Sequence, residues 1–530
     1  MVAAGVACAP ALAQWSDDPL APTPVIVATA DQAVPVVTTS GDGSTWVAYA
    51  DNGGSLVSGY KHTLQRLDAG GNATLTTPLV LSPTRTSTAV FTFDADSYPD
   101  GSAVIAYDNG EIQVQKVSAA GVPLWGPGGA AGARGVSIPL SNGALGPQVA
   151  AMEDGGAVVS WASGSTLFFQ RIGADGLPST SWTVVEAGRA LSPSDLIGTP
   201  GGVIAMWVRA EGTNFVTSRK GLKIQRYLFS GFPTWNFGVP FDVYASSATP
   251  ARSIQNGYQP RLVADGAGGA IVAWYDIGQT RTALLQHYSV TGVARFPVNG
   301  LVVDTSTSEI RLSASVAYHP ALDEYTVVYQ RSNLNQSQFG LGAQRVNAAG
   351  ARLWNGGTTV SIVDLQPNPI SFATAQPAGN DAVSAWLAFG GTNGPQEVRA
   401  TRLASATGAP VWASAITDVT TTSTSKGRLA LVPSGGSDEW FVGVWSDGSA
   451  GNSDIRAARI NGDGTIGPGP VTCPACVADF DGDGGVTPGD VGAFFAVFEG
   501  GEACADVDED GGLTPADVAE FFTRFESGEC

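Results

Sequence analysis

Asp479, Asp481 and Asp483 stand at alternate positions near the end of the chain, in ADFDGDGGVTPGD. Twenty-seven residues on, Asp506, Asp508 and Asp510 repeat the spacing in ADVDEDGGLTPAD. Alternating carboxylates suit a large, hard cation: Ca²⁺ takes about six to eight oxygens at about 2.3–2.6 Å. The acids fill loop positions 1, 3 and 5, with Gly484 or Gly511 at position 6 for the sharp turn. Gly485 or Gly512 offers a carbonyl at 7, Thr487 or Thr514 falls at 9, and Asp490 or Asp517 at 12. One such stretch is also what an acidic turn looks like; two with identical spacing point to a pair of Ca²⁺ sites.

The elements that must hold these loops are helices. Thr487-Pro488-Gly489-Asp490 and Thr514-Pro515-Ala516-Asp517 each offer an N-cap Thr, a Pro at N1 and an acid at N3. Val491, Phe494, Phe495 and Phe498 match Val518, Phe521, Phe522 and Phe525. Two loop–helix units with such faces are expected to pack about a pseudo-twofold axis. The helix before each loop of a true EF-hand is missing. Cys473, Cys476, Cys504 and Cys530 all fall here, and an even set in a small exported module reads as two disulfides. The alternative, a zinc site begun by Cys473-x-x-Cys476, would need the distant Cys504 and Cys530. A pseudo-twofold pair brings the module's ends together. One bridge is therefore expected from Cys530 to Cys473 or Cys476, and a second from the remaining cysteine to Cys504.

The constellation resembles a dockerin of the variety that ends in Gly and Cys; this chain ends Gly528-Glu529-Cys530. The resemblance covers about residues 471–530. It implies a Ca²⁺-dependent plug for a cohesin-like surface partner, often tethering proteins that degrade polysaccharide. The family's partner contacts centre on loop positions 10 and 11, commonly Ser or Thr. Pro488-Gly489 and Pro515-Ala516 stand there instead, so the implied partner surface departs from the usual one.

Ahead of this module the chain repeats itself. Apolar runs end in an aromatic at Tyr49, Tyr107, Trp161, Trp207, Trp274, Tyr329, Trp386 and Trp445. Each is followed by a Gln-Arg-like strand carrying Arg66, Lys116, Arg171, Arg226, His287, Arg345, Arg402 or Arg459. Eight copies at 46–67 residues suit propeller blades. Each unit reads as four strands, the last bearing a Trp at Trp125, Trp235, Trp354 or Trp412. The eighth unit lacks its last strand, while an orphan strand, TPVIVATAD, begins at Thr23. An N-terminal strand completing the last blade would close a ring. The expectation is a mostly β chain with an eight-bladed propeller, seven blades being the alternative, over residues 24–466. A linker at 467–472 and the small α module at 473–530 follow. The units are similar to repeats common in exported bacterial proteins, a resemblance that implies a propeller and no defined activity.

A basic residue repeated in nearly every blade reads as packing rather than catalysis. With His62 in a hairpin, His287 in the Arg slot and His319 near a turn, nucleophile–base catalysis has little support. Carboxylates are the remaining route, since glycosidases need two near the axis. Asp51, Asp108, Asp276 and Asp447 follow aromatic strands and read as turn residues. SGDGSTW at Ser40 is one residue short of a sialidase aspartate box. DADSYPDG from Asp94 reads as a polar turn ahead of a weak Ca²⁺ site.

Net charge is −20, and residues 471–530 hold eight Asp and six Glu against one Arg, leaving about −7 for the rest. Nucleic acid is excluded as a partner, for want of dominant Lys and Arg. No stretch is apolar enough to span a bilayer. Ala11-Leu12-Ala13 before Gln14 resembles a signal cleavage site, so residues 1–13 read as a signal peptide, possibly truncated, and the protein as secreted or surface-held. The expected function is a non-catalytic binding or display propeller tethered by the terminal module. The alternative is a glycosidase or polysaccharide lyase delivered by it.

Overall fold

The computed structural model describes residues 15–29, 31–51, 60–82, 93–126, 135–138, 145–246, 252–277, 281–390, 396–434, 437–449, 451–468, 476–480, 485–499, 503–508, 510 and 512–528. The signal-like segment and Cys473, Asp481, Asp483, Gly484, Gly511 and Cys530 lie outside them. The chain divides into two compact units, Met1–Gly467 and Pro468–Cys530, each described by itself.

The first unit is an eight-bladed β-propeller of four-stranded antiparallel sheets. Blade one holds β2 (Gln32–Thr39), β3 (Thr45–Asp51), β4 (Lys61–Leu67) and β5 (Leu79–Val80). The next six blades begin with β6 (Phe93–Ser97), β10 (Leu145–Ala151), β14 (Leu191–Thr199), β18 (Leu262–Ala264), β22 (Glu309–His319) and β26 (Ile370–Ala378). Blade eight is β30 (Lys426–Ser434), β31 (Ser437–Ser449), β32 (Asn452–Asn461) and, at its outer edge, β1 (Thr23–Ile26). Thr23 lies opposite Ala457 in that last ladder, so the chain's first strand closes the ring. The first strands touch one another in an unbroken circle and enclose the channel.

Each aromatic-ended strand is sandwiched between its neighbours, which is why it reads as an unbroken apolar run. Val47 and Tyr49 of β3 are buried against Val442 and Val444 of β31. Eight such cores, one per blade boundary, form among the described residues.

The Gln-Arg strand works by two different contacts. Gln115 Nε2 donates to the Trp125 carbonyl at 2.8 Å, and Trp125 N donates back to Gln115 Oε1 at 2.9 Å. Gln225 and Gln344 hold Trp235 and Trp354 in the same way. The Trp residues therefore precede their outer strands rather than sitting on them, which corrects the sequence expectation. From that place each indole N–H reaches the next blade's turn: Trp125 to Ala174 O, Trp235 to Val290 O, Trp354 to Ser405 O and Trp412 to Gly462 O. The ring lies on that turn's glycine; a Cβ on Gly176, at φ 77°, would meet Trp125 Cδ1 at 2.7 Å. Trp15, ahead of β1, makes the same contact to Ala69 O of blade one at 2.8 Å. The N-terminal segment thus supplies blade eight with both its missing strand and its missing Trp.

The second unit carries α1 (Pro488–Glu499) and α2 (Pro515–Ser527). Phe494 and Phe521, at equivalent places in the two repeats, are fully buried and stack with centroids 4.0 Å apart. Phe480 meets both edge-on. Cys476 and Cys504 are each disulfide-bonded.

Candidate functional site

Register places one residue of each first strand at the same height in the channel. Asp94 lies opposite Ala106, Gln148 opposite Ser160 and Asp195 opposite Met206, each partner just before its blade's aromatic. Arg261 directly precedes Leu262, the partner of Val272, and so takes the same height in blade five. Blades six, seven, eight and one contribute Ser315, Thr374, Ala430 and Val36. One half of this layer holds three charged residues and an amide, and the other is small or apolar.

Arg261 gathers the charged half. Its Nη1 donates to Asp195 Oδ1 at 2.9 Å and Gln148 Oε1 at 3.0 Å, with a longer 3.5 Å contact to Asp94 Oδ1. The second oxygen of each carboxylate covers the unpaired inner edge of the next blade. Asp94 Oδ2 accepts from Val149 N at 3.1 Å and Asp195 Oδ2 from Leu262 N at 2.6 Å. Ser315 Oγ does the same for Ala375 N at 3.0 Å. An inner strand has no further neighbour, so its N–H groups need such cover.

Burial raises the Asp94 carboxyl above the usual range, with Arg261 pulling the other way. Burial pushes Asp96, which accepts from Ala151 N, up to about 6. Arg261 itself is raised: Asp195 and Asp94 outweigh its own burial. Its side chain is still 55% exposed, which screens the pair. DADSYPDG is therefore not one polar turn. Asp94 and Asp96 are strand residues at the axis, and only Asp100, bonded to Ser102, sits in the turn.

The other acids singled out in the sequence stay in local structure. Asp42 accepts from Ser44 and pairs with Arg66. Asp51 accepts from Gln32, Asp108 from Gly110, Asp276 from Ser253, and Asp447 from Lys426 and Trp445. The repeated basic slot ties blades together: Lys116 reaches Gly155 O, Arg345 reaches Asn380 O and Arg402 reaches Gly462 O, each in the following blade. His287 bridges Asp265 of its own blade and Tyr325 of the next. His62 is on β4 rather than in a hairpin loop, buried between the rings of Phe93 and Tyr107.

In the second unit the two helix starts match. Asp490 Oδ2 accepts from Thr487 N and Asp517 Oδ2 from Thr514 N, both at 2.7 Å. Thr487 Oγ1 accepts from Gly489 N and Thr514 Oγ1 from Ala516 N, both at 3.1 Å. Ahead of α2, Asp506, Asp508 and Asp510 bring carboxylate oxygens within 4.8 Å of one another. Asp517 Oδ1 accepts from Asp508 N at 3.3 Å, tying the helix to this loop. Desolvation, then Asp510, Asp517 and Asp506, push the Asp508 carboxyl up. Gly512 N donates to Asp510 Oδ1 at 2.9 Å, while Asp479 is not one of this group of three.

No family model and no curated protein matches the chain. Solved structures match it as folds. A protein of unknown function from Dyadobacter fermentans is 10% identical over 85% of this chain and 99% of its own, with TM-score 0.36. The BP39L lectin from Burkholderia pseudomallei is 13% identical over 71% and 97%, with TM-score 0.42. An exo-1,5-α-L-arabinanase from a bovine ruminal metagenomic library is 14% identical over 50% and 95%, with TM-score 0.27. No described helix is long and apolar enough to cross a membrane.

Proposed function

We propose that the chain is a secreted or surface-held binding propeller, attached through a Ca²⁺-dependent, dockerin-like terminal unit. The observation that carries the attachment reading is the pair of matched helix starts beneath a clustered acidic loop. In the second repeat Asp506, Asp508 and Asp510, with the Gly512 carbonyl, Thr514 and Asp517, would hold one Ca²⁺. The first repeat offers Asp479, Asp481, Asp483, Gly485, Thr487 and Asp490. The three gathered carboxylates fit a hard divalent cation. Bound Ca²⁺ would neutralise their mutual repulsion and fix the loop against its helix. For the propeller, binding is favoured over chemistry because Asp94 and Asp195 each already serve a backbone N–H and Arg261. The test is capture of a cohesin-like partner from a cell-surface fraction by the full chain. Capture should occur in Ca²⁺, and be lost with chelator or with Asp506→Ala. Capture that ignores both would end the reading.

A second reading, hydrolysis or lyase chemistry on polysaccharide, draws on one observation: Asp94 and Asp195 meet at the axis and burial raises Asp94. Turnover on a polysaccharide panel, abolished by Asp94→Asn and by Asp195→Asn, would replace the binding reading.

A further inference from the structure

We propose that the channel wall of blades seven and eight binds the uronate residue of an acidic saccharide, with Arg428 on its carboxylate and Phe372 against its ring face. This rests on the binding reading above and adds a place and a ligand class.

Five described first strands carry a β-bulge at one height; the one between Leu145 and Gln148 holds Gly146 at φ 56°, and the other four lie between Ala33 and Val36, Leu312 and Ser315, Ser371 and Thr374, and Gly427 and Ala430. In each the first bulged residue is left-handed: Val34 at φ 55°, Ser313 at 49°, Phe372 at 52° and Arg428 at 54°. L side chains avoid this region because Cβ crowds the following carbonyl. Outside glycine, such strain concentrates where a side chain must be aimed. The next residue of three of these bulges, Pro35, Ala373 and Leu429, turns into the protein and is buried. Phe372 and Arg428 remain exposed on strands that line the axis, Phe372 at 38%. The guanidinium carbon lies 5.5 Å from the phenyl centroid. A large apolar ring facing water from a strained backbone gives the fold nothing that a smaller residue would not.

The pair matches a uronate. A guanidinium presents a planar fork to a carboxylate, and a flat ring packs on the apolar face of a pyranose. The neighbouring layer carries Thr374, whose hydroxyl donates to Ala385 O, and across the channel Gln148, whose amide is held by Arg261 and Pro147 O. The acids on that far side face Arg261, so a ligand entering there meets a cation before a carboxylate.

The experiment is calorimetric titration of the full-length protein with trigalacturonate and, separately, its fully methyl-esterified form. The acid should bind at least tenfold tighter than the ester, and more weakly as salt rises. Arg428→Gln should remove that preference, Phe372→Ala should weaken both ligands several-fold, and Arg428→Lys should restore part of the preference. Equal affinity for acid and ester would overturn the uronate assignment. Unchanged binding in both Arg428→Gln and Phe372→Ala would overturn the place. Absence of any trimer binding would overturn both. Ca²⁺-dependent capture of a surface partner is read separately, so failure here is distinguishable from failure of the attachment reading.

Discussion

Replacing Arg261 by Met keeps an apolar stem and removes the cation that Asp94 and Asp195 share. Breaking a fully buried pair costs about 3–5 kcal/mol, while an exposed one is worth about 0–1 kcal/mol. The two carboxylates have side chains 6% and 9% exposed, but Arg261 is 55% exposed. The expected loss lies between the limits, about 2 kcal/mol near neutral pH. Its pH dependence carries the diagnosis. Without Arg261 the Asp94 pKa rises further above its unfolded value. A raised carboxyl costs stability only where it is ionised, so the deficit shrinks as pH falls towards about 4. Urea unfolding followed by tryptophan fluorescence at about pH 7.5 and about pH 5 measures this. The deficit at the lower pH should be less than half that at the higher. Adding Asp94→Asn and Asp195→Asn to Arg261→Met should recover most of the loss. Equal deficits at both pH values, or no recovery in the triple variant, would refute the reasoning.

Burial, then Arg345, pulls the His319 pKa down to about 4. The unfolded chain therefore takes up that proton first, and stability should fall by about 3 kcal/mol between about pH 6.5 and about pH 4. His319→Gln should flatten this slope in urea titrations, and an unchanged slope would exclude His319 as its source. Trp15→Ala should cost the propeller about 3–5 kcal/mol, while Trp15→Phe, losing chiefly the Ala69 hydrogen bond, should cost about 1 kcal/mol. Scanning calorimetry compares the two, and equal losses would deny the bond a role. Ca²⁺ at about a hundred times Kd should stabilise the terminal unit by about 2.7 kcal/mol per site. Asp506→Ala should leave one site instead of two in a calorimetric titration, and an unchanged stoichiometry would remove the ligand assignment.

The blades were legible because each repeats the same two inner strands, and what those strands do is the same everywhere. An aromatic must fill each blade boundary, and a Gln must clamp the segment ten residues on, so both survive as a visible pattern. Ring closure was legible from the orphan strand at Thr23, but Trp15 was not. It does the work of Trp412 from the opposite end of the chain, where no repeat frames it. The channel layer was hidden for a different reason. The bulges of β26 and β14 lie ahead of the layer residue and leave its distance to the aromatic unchanged, but the count across the hairpin varies, from twelve residues between Asp195 and Trp207 to fifteen between Ala430 and Trp445. Distance from the aromatic therefore does not tell which residue faces the axis. Asp94 stands out only as part of an acidic run, and Gln148, Asp195 and Arg261 carry no local signature. Counting back through the pairing, rather than along the chain, would have found them. The acidic loops stand out because their carboxylates keep one spacing within a short segment, twice over.

The closing ladder also sets an order in time. Thr23 leaves the ribosome more than four hundred residues before its partner Ala457. Until then β1 and Trp15 have no blade to complete. The flank of blade one that will meet Val442 and Val444 waits uncovered, with Val47 and Tyr49 open to water. A growing chain can finish seven boundaries in sequence but must hold the eighth open to the end, a long wait for an apolar surface. A circular permutant of the first unit alone, cut between two middle blades and with Gly467 joined to Trp15, would make β1 shortly after β32. It should reach the closed ring sooner than the natural order of synthesis allows.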